Sequence, residues 1–135
     1  MRAWRERKEL IEQLRSLDVM AECSDDELRE LDRLFTEVTF ADGQRLVREG
    51  AGALEFMIIR EGTVSVQRGG EQIAALGSGE FVGEIGLLDS APRNATVVAD
   101  GAVRAYVLHA GEFLDMLKTS PTLRAKIERA ASARR

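Results

Sequence analysis

One carboxylate and one guanidinium stand nine positions apart in the middle of the chain, at Glu84 and Arg93. Gly83 and Gly86 bracket the start of an apolar segment whose length fits a single helical turn. The first amides of a helix lack partners within it and carry partial positive charge, so they suit an anion such as a phosphate. Arginine donates to the same kind of anion, whereas an ionised glutamate accepts from hydroxyls. A small ligand with both a phosphate and a free hydroxyl would satisfy this pattern.

The turn from Glu84 to Leu88 is too short to stand alone, because isolated helices below about 12–15 residues are marginal in water. We therefore expect its apolar side chains to pack against a larger body. On spacing alone, Glu84 and Arg93 could equally form an exposed ion pair worth about 0–1 kcal/mol. The residue types by themselves leave both interpretations open.

The segment from Phe81 to Leu88, followed by Pro92 to Val97, resembles the phosphate-binding cassette of the cyclic-nucleotide-binding domain family. That family includes the catabolite activator protein, the regulatory subunits of protein kinase A and the cyclic-nucleotide-gated channels. The resemblance implies that Glu84 bonds the ribose 2′-hydroxyl and that Arg93 pairs with the cyclic phosphate. It also implies that the backbone of neighbouring residues completes the site. The full predicted ligand-binding set is Gly83, Glu84, Ile85, Gly86, Arg93, Asn94 and Ala95.

Two positions depart from the family pattern. Val82 stands where Phe is usual, which is a conservative change at a packed position. Asn94 stands where cAMP-binding members commonly have Ala or Ser and cGMP-preferring members commonly have Thr, so base selectivity stays open. We expect cAMP ahead of cGMP as the ligand, with sugar and base against four apolar side chains: Val64, Ile73, Val82 and Leu87.

Composition argues against other function classes. The net charge of −4 disfavours the broad basic surface that nucleic-acid binding needs. With one histidine and one cysteine in 135 residues, neither a metal site nor a catalytic nucleophile pair can be assembled, so we expect no enzyme and no cofactor. Cys23 has no disulfide partner, and the chain shows neither a signal peptide nor a membrane span. The sequence predicts a cytoplasmic protein.

Helical patterns occur at both ends of the chain. Residues 4–17 form an amphipathic stripe of Trp4, Ile11, Leu14 and Leu17, and a capping box from Ser24 to Glu27 opens a second helix. Near the C-terminus, helices are predicted over residues 112–118 and 122–133, separated by Ser120 and Pro121.

Short alternating segments fill the region between, divided by glycine-containing pairs such as Glu61-Gly62, Gly69-Gly70 and Asp100-Gly101. This pattern predicts a mainly β fold with flanking α-helices. The expected architecture is an antiparallel β-roll, a jelly-roll-like double-stranded β-helix, that contains one short phosphate-binding helix.

The predicted organisation is a single domain over residues 1–135. It comprises N-terminal helices (1–34), the roll (35–110) with its cassette (79–97), and hinge and lid helices (111–135). The expected function is a sensor that converts cyclic-nucleotide binding into movement of the C-terminal helices. The alternative is a domain of the same fold that has lost its ligand and serves in protein docking or dimerisation; the output partner and a homodimer through the terminal helices stay open.

Replacing Arg93 with Ala should weaken cyclic-nucleotide binding by about 30-fold to several thousand-fold, because a buried phosphate would lose its partner at a cost of roughly 2–5 kcal/mol. Isothermal titration of both proteins with cAMP and cGMP measures the change. Wild-type affinity in the variant would mean that the phosphate is bound elsewhere.

Overall fold

The computed structural model describes residues 11–51, 55–88 and 94–134. Residues 11–15 are helical, and a short 3-10 helix spans Asp18–Met20. The described helices that follow are α1 (Asp25–Leu34), α2 (Glu84–Leu88), α3 (Ala110–Thr119) and α4 (Pro121–Arg134). The described strands are β1 (Thr36–Phe40), β2 (Arg45–Val47), β3 (Glu55–Arg68), β4 (Glu71–Leu76), β5 (Phe81–Val82) and β6 (Thr96–His109).

All strand pairs among these residues are antiparallel. The strands follow the order β1-β6-β3-β4, while β2 pairs with β6 and β5 pairs with β3. The two longest strands, β3 and β6, pair from Glu55 opposite His109 to Gln67 opposite Thr96. Each of the remaining four strands pairs with either β3 or β6.

The β3–β6 ladder separates two hydrophobic clusters, because successive side chains of a strand point to opposite faces. Phe56 and Leu108 belong to a cluster shared with the helices, which we call the helical core. Met57 and Val107 belong to a second cluster lined only by strand residues and the segments between them, which we call the roll core. Both faces of the ladder are therefore buried at one end, where residues 56–59 of β3 pair with residues 105–108 of β6.

Helix α1 begins where its sequence predicts. The Ser24 hydroxyl accepts from the Glu27 amide at 3.1 Å, and the Glu27 carboxylate accepts from the Ser24 amide at 3.1 Å. Leu28 and Leu31 are fully buried in the helical core. The predicted capping box is confirmed.

The predicted turns at Glu61-Gly62 and Asp100-Gly101 are wrong. Both pairs lie inside uninterrupted strands, β3 and β6, and the pairing register shifts on either side of Glu61. Gly62 has a φ of 100° and Gly101 a φ of 82°. Glycine adopts such angles readily, so each pair bends its strand as a bulge and the ladder continues past it.

Other boundaries agree with the sequence. The Gly69-Gly70 turn joins β3 to β4, with Arg68 opposite Glu71. The short helix from Glu84 to Leu88 is present, and Pro121 occupies the first turn of α4. Trp4 lies outside the described residues, and the division of the chain into one domain with three parts stays a prediction. Within the described ranges, no helix combines the length and apolar character that crossing a membrane requires.

Replacing Gly62 with Ala should lower the free energy of unfolding by about 2–4 kcal/mol. A Cβ at this position would lie 2.5 Å from the backbone oxygen of Ala102, which cannot rotate away, and the positive φ adds strain. Urea denaturation measures the loss.

Gly101→Ala is the matched control, because its φ is also positive while nothing lies within 4 Å of the added carbon. It should cost only the conformational strain, about 1–2 kcal/mol. Equal losses in the two variants would show that the close approach of β3 to β6 at Gly62 contributes nothing.

Candidate functional site

A short strand and a short helix bring Glu84 to one end of the roll. In β5, Phe81 pairs with Ile58 and Val82 with Met57, which fixes the chain just before Gly83. Helix α2 starts at Glu84, and its Leu87 and Leu88 pack against the helical core. The strand thus positions the first residue of the helix, and the helical core holds the helix that could not stand alone.

Glu84 is nearly inaccessible, with 1% of its surface exposed. Its Oε1 accepts a hydrogen bond from Nη1 of Arg134 at 2.6 Å, and the same guanidinium donates to the Phe81 carbonyl at 2.7 Å. The Arg134 guanidinium carbon also lies 5.0 Å from the centre of the Phe81 ring. By contrast, Glu84 Oε2 is buried and has no hydrogen-bond partner among the described residues.

A cavity of about 310 Å³ opens beside Glu84. Most of its wall is apolar, and its described charged groups are one carboxylate and two guanidiniums, those of Glu84, Arg68 and Arg134. Arg68 is held at the cavity through a bond from Nε to the Asn94 carbonyl, 3.0 Å long. The lining residues are Val47, Val66, Arg68, Ile73, Ala74, Leu76, Val82, Gly83, Glu84, Asn94, Ala95, Val97 and Arg134.

The structure brings much of the predicted ligand-binding set to this cavity. Four of its members line the wall: Gly83, Glu84, Asn94 and Ala95. Ile85 and Gly86 follow in α2, where their backbone is helical. Arg93 lies outside the described residues, so its part in the site stays a prediction.

Only two of the four side chains predicted to form the apolar pocket lie at the cavity. Ile73 and Val82 line the cavity, and Ile73 is 50% exposed. Val64 is instead fully buried in the roll core, and Leu87 packs on the helical core, so neither is part of the cavity wall. Val64 is hidden because it lies on the inner face of β3, and Leu87 is turned away because α2 needs that side chain to dock.

Two cationic residues of the cavity are absent from the predicted site. Arg134 lies 50 positions from Glu84 in the sequence, at the end of α4, so only the tertiary fold brings the two together. Arg68 closes β3 next to a glycine turn, where a charged residue is usual on an exposed strand end. No local pattern distinguishes either residue from other surface arginines.

Ser120 fixes the N-terminal end of helix α4. This residue is fully buried, and its hydroxyl accepts from the Leu123 amide at 3.2 Å, which caps the helix. The same hydroxyl donates to Glu27 Oε2, while Cys23 Sγ lies 3.6 Å from it. The first turn of α4 is therefore tied to the first turn of α1.

This network changes the acidity of two groups. The hydrogen bond from Ser120 is the main cause that holds the pKa of Glu27 below its ordinary value of 4.5. Burial raises the pKa of the Cys23 thiol, so the group stays protonated and unreactive near neutral pH. Cys23 thus behaves as the small buried side chain that its position before the cap predicts.

The fold is an antiparallel β-roll flanked by helices, with a short helix beside a largely apolar cavity. This combination is typical of a module that binds a small ligand. The family model described as "Cyclic nucleotide-binding domain" matches residues 37–120. The chain belongs to this family. The predicted fold class, a mainly β roll with flanking helices, is confirmed.

Two curated relatives illustrate the range of proteins that contain similar sequence. The chain is 34% identical to Glutaminase 2 of Bradyrhizobium diazoefficiens over 85% of its own length and 18% of that protein. It is 30% identical to the cAMP-dependent protein kinase type II regulatory subunit of Drosophila melanogaster, over 86% of its length and 34% of that protein. The chain thus spans at most about a third of either relative.

Solved structures share the fold. The regulatory domain of Toxoplasma gondii PKA with cAMP superimposes with a TM-score of 0.81 at 21% identity, covering 95% of this chain and 51% of that one. The regulatory subunit of a cAMP-independent protein kinase A from Trypanosoma cruzi, bound to guanosine, gives a TM-score of 0.78 at 26% identity. That match covers 90% of this chain and 44% of the other.

Replacing Ser120 with Ala should lower the free energy of unfolding at pH 7 by about 1–2 kcal/mol, because α4 loses its cap and Glu27 loses a donor. The pKa of Glu27 is lower in the folded state, so its contribution is present above about pH 4.5 and is lost as the pH falls through the folded-state pKa. The difference in the free energy of unfolding between wild type and variant should therefore decrease on acidification. Urea denaturation at pH 7 and at about pH 3.5 measures it.

Ser132→Ala is the control, because Ser132 is an exposed residue of the same helix. It should leave stability and its pH dependence unchanged. A Ser120 variant whose loss stayed constant with pH would exclude the bond to Glu27 as a contributor.

Proposed function

We propose that the chain is a sensor domain that binds a cyclic nucleotide, cAMP ahead of cGMP, in the cavity beside Glu84 and does no chemistry on it. The observation that carries the proposal is the buried Oε2 of Glu84, which has no hydrogen-bond partner among the described residues. Buried polar atoms are nearly always satisfied, so an unsatisfied carboxylate oxygen in a cavity-lining residue suits a donor supplied by a ligand. A ribose hydroxyl is such a donor, and its bond to a carboxylate is charge-assisted.

The remaining parts of a nucleotide have matching surroundings in this proposal. The phosphate would be bound by Arg93 and by the backbone from Gly83 through Gly86 and at Asn94 and Ala95, as family resemblance implies. The sugar and base would lie against Ile73 and Val82, which line the apolar wall. A volume of about 310 Å³ is near the lower end of the roughly 300–1,000 Å³ typical of ligand pockets, so the site accommodates one small ligand.

The relatives support a regulatory role. One is a regulatory subunit of a cAMP-dependent kinase, and one similar structure is a regulatory domain with cAMP. Only 18% of the glutaminase is matched, so the similarity covers one part of that enzyme. We infer that α4, which contributes Arg134 to the cavity wall, and α3 before it carry the output to a partner domain or a second chain.

A nucleoside without a phosphate is a second candidate ligand. A similar structure contains guanosine, and the features described around Glu84, a free carboxylate oxygen and an apolar wall, require a ribose and a base only. Guanosine and adenosine therefore belong among the ligands tested.

The wild-type chain should bind cAMP, and cAMP at about 1,000 times its dissociation constant should raise the melting midpoint by about 10 °C, since it adds roughly 4 kcal/mol. The 2′-deoxy analogue should bind at least about 10-fold more weakly, because Glu84 Oε2 would remain unpaired. A thermal-shift titration with cAMP, its 2′-deoxy analogue, cGMP, AMP, guanosine and adenosine measures both effects.

Glu84→Gln should bind cAMP at least about 10-fold more weakly and should no longer discriminate strongly against the 2′-deoxy analogue. Glu71→Gln is the control, because it removes the same charge from an exposed position on β4. A shift with the nucleosides alone would favour the phosphate-free ligand. No shift with any of the six compounds would contradict the proposal and favour the docking module.

A further inference from the structure

Arg68 brings a positive charge to the cavity wall from the last position of β3. Val66, two positions earlier on the same strand, lines the cavity as well. The Nε of Arg68 donates to the Asn94 carbonyl at 3.0 Å, and Asn94 is itself part of the wall. This bond holds the guanidinium at the cavity, beside the residue that directly follows Arg93, the predicted phosphate-binding residue.

No carboxylate of the described residues forms an ion pair with Arg68. Glu71 lies opposite it in the β3–β4 pairing, and the Glu49 carboxylate accepts from the Gly69 amide at 3.3 Å. Neither carboxylate is hydrogen-bonded to the arginine. A guanidinium has five N–H donors, and the Asn94 carbonyl takes the one on Nε. The two Nη groups are therefore available to a ligand.

The net charge of the described cavity wall comes from Arg68. Glu84 and Arg134 form an ion pair with an N–O distance of 2.6 Å, so their charges largely cancel. Among the described lining residues, the charge that remains is the positive one on Arg68. A neutral nucleoside gains little electrostatically from it, whereas an oxyanion accepts a charge-assisted, forked pair of hydrogen bonds. The described wall therefore suits a ligand that carries a negative charge as well as a hydroxyl.

A contact with the base is the alternative use of Arg68. Arginine only donates, so it pairs well with guanine, whose N7 and O6 both accept, and poorly with adenine, whose N6 donates. A phosphate accepts through its oxygens and is the same in both cyclic nucleotides. The bond to Asn94, one position after Arg93, favours the phosphate.

We propose that Arg68 is a specificity-determining residue of the ligand site, which binds the phosphate from the β3–β4 hairpin and thereby selects a nucleotide over a nucleoside. This inference rests on the proposed function. It adds a second guanidinium to the phosphate contacts that the resemblance assigns to Arg93 and the nearby backbone. Arg68 is exposed, so water screens its contribution and the expected effect is modest.

The test is ligand affinity in wild type and Arg68→Gln, measured by isothermal titration or by displacement of a labelled cyclic nucleotide. The variant should bind cAMP about 3- to 10-fold more weakly and cGMP more weakly by the same factor, while its affinity for adenosine and guanosine stays unchanged. Arg68→Lys should lose less than Arg68→Gln, since it keeps the charge but not the fork. Arg104→Gln is the matched control and should bind as wild type, because Arg104 is an exposed strand arginine outside the cavity wall.

Salt dependence gives a second readout that needs cAMP alone. Raising NaCl from about 0.1 M to about 1 M shortens the screening length from about 10 Å to about 3 Å. The difference in cAMP affinity between wild type and Arg68→Gln should therefore decrease at high salt. The urea midpoint of the ligand-free variant should match that of wild type, because the substituted side chain is exposed.

Three results would overturn the inference while leaving the proposed function in place. The first is wild-type cAMP affinity in Arg68→Gln. The second is a larger loss for cGMP than for cAMP, or an equal loss for the nucleosides, which would mean that Arg68 contacts the base or the sugar. The third is a loss that does not change with salt. A wild-type chain that binds no cyclic nucleotide is a different failure, which overturns the proposed function itself and is identified by the wild-type titration.

Discussion

A carboxylate that is 1% exposed is stable in a folded protein only if other groups replace the water it has lost. Glu84 meets this requirement through one guanidinium, and the rest of the site is arranged around that pair. Strand β5 fixes the chain just before Gly83, α2 carries the carboxylate itself, and α4 carries Arg134. This one charged contact therefore joins three separate elements of the fold.

The β3–β6 ladder provides the rigid body on which this contact depends. Each strand has 14 residues, and at the end that carries β5 both faces of the ladder are covered by hydrophobic clusters. A ladder buried on both sides cannot slip by one residue, since a slip would exchange the two faces. The ladder also positions Phe81, because this residue pairs with β3. Phe81 in turn contacts Arg134.

The sequence predicted those features that have a local cause. The capping box at Ser24, the proline at the start of α4, the Gly69-Gly70 turn and the length of α2 each follow from residues within a few positions of one another. Gly62 and Gly101 were misread as turns because a glycine bulge and a glycine turn have the same local composition; only the partner strand decides between them. Arg134 could not be found because its partner is 50 positions away.

The division into two hydrophobic clusters has a consequence for how such a module diversifies. The cavity is lined mainly by strand residues and by Gly83, Glu84 and Arg134, whereas α1, α3 and α4 contribute side chains to the helical core. A substitution in the helical core can alter the packing of the helices while the apolar wall of the cavity stays unchanged. Under the proposed function, ligand preference and the choice of output partner are then nearly separate traits, linked through Glu84 and Arg134, which join α2 and α4 at the cavity.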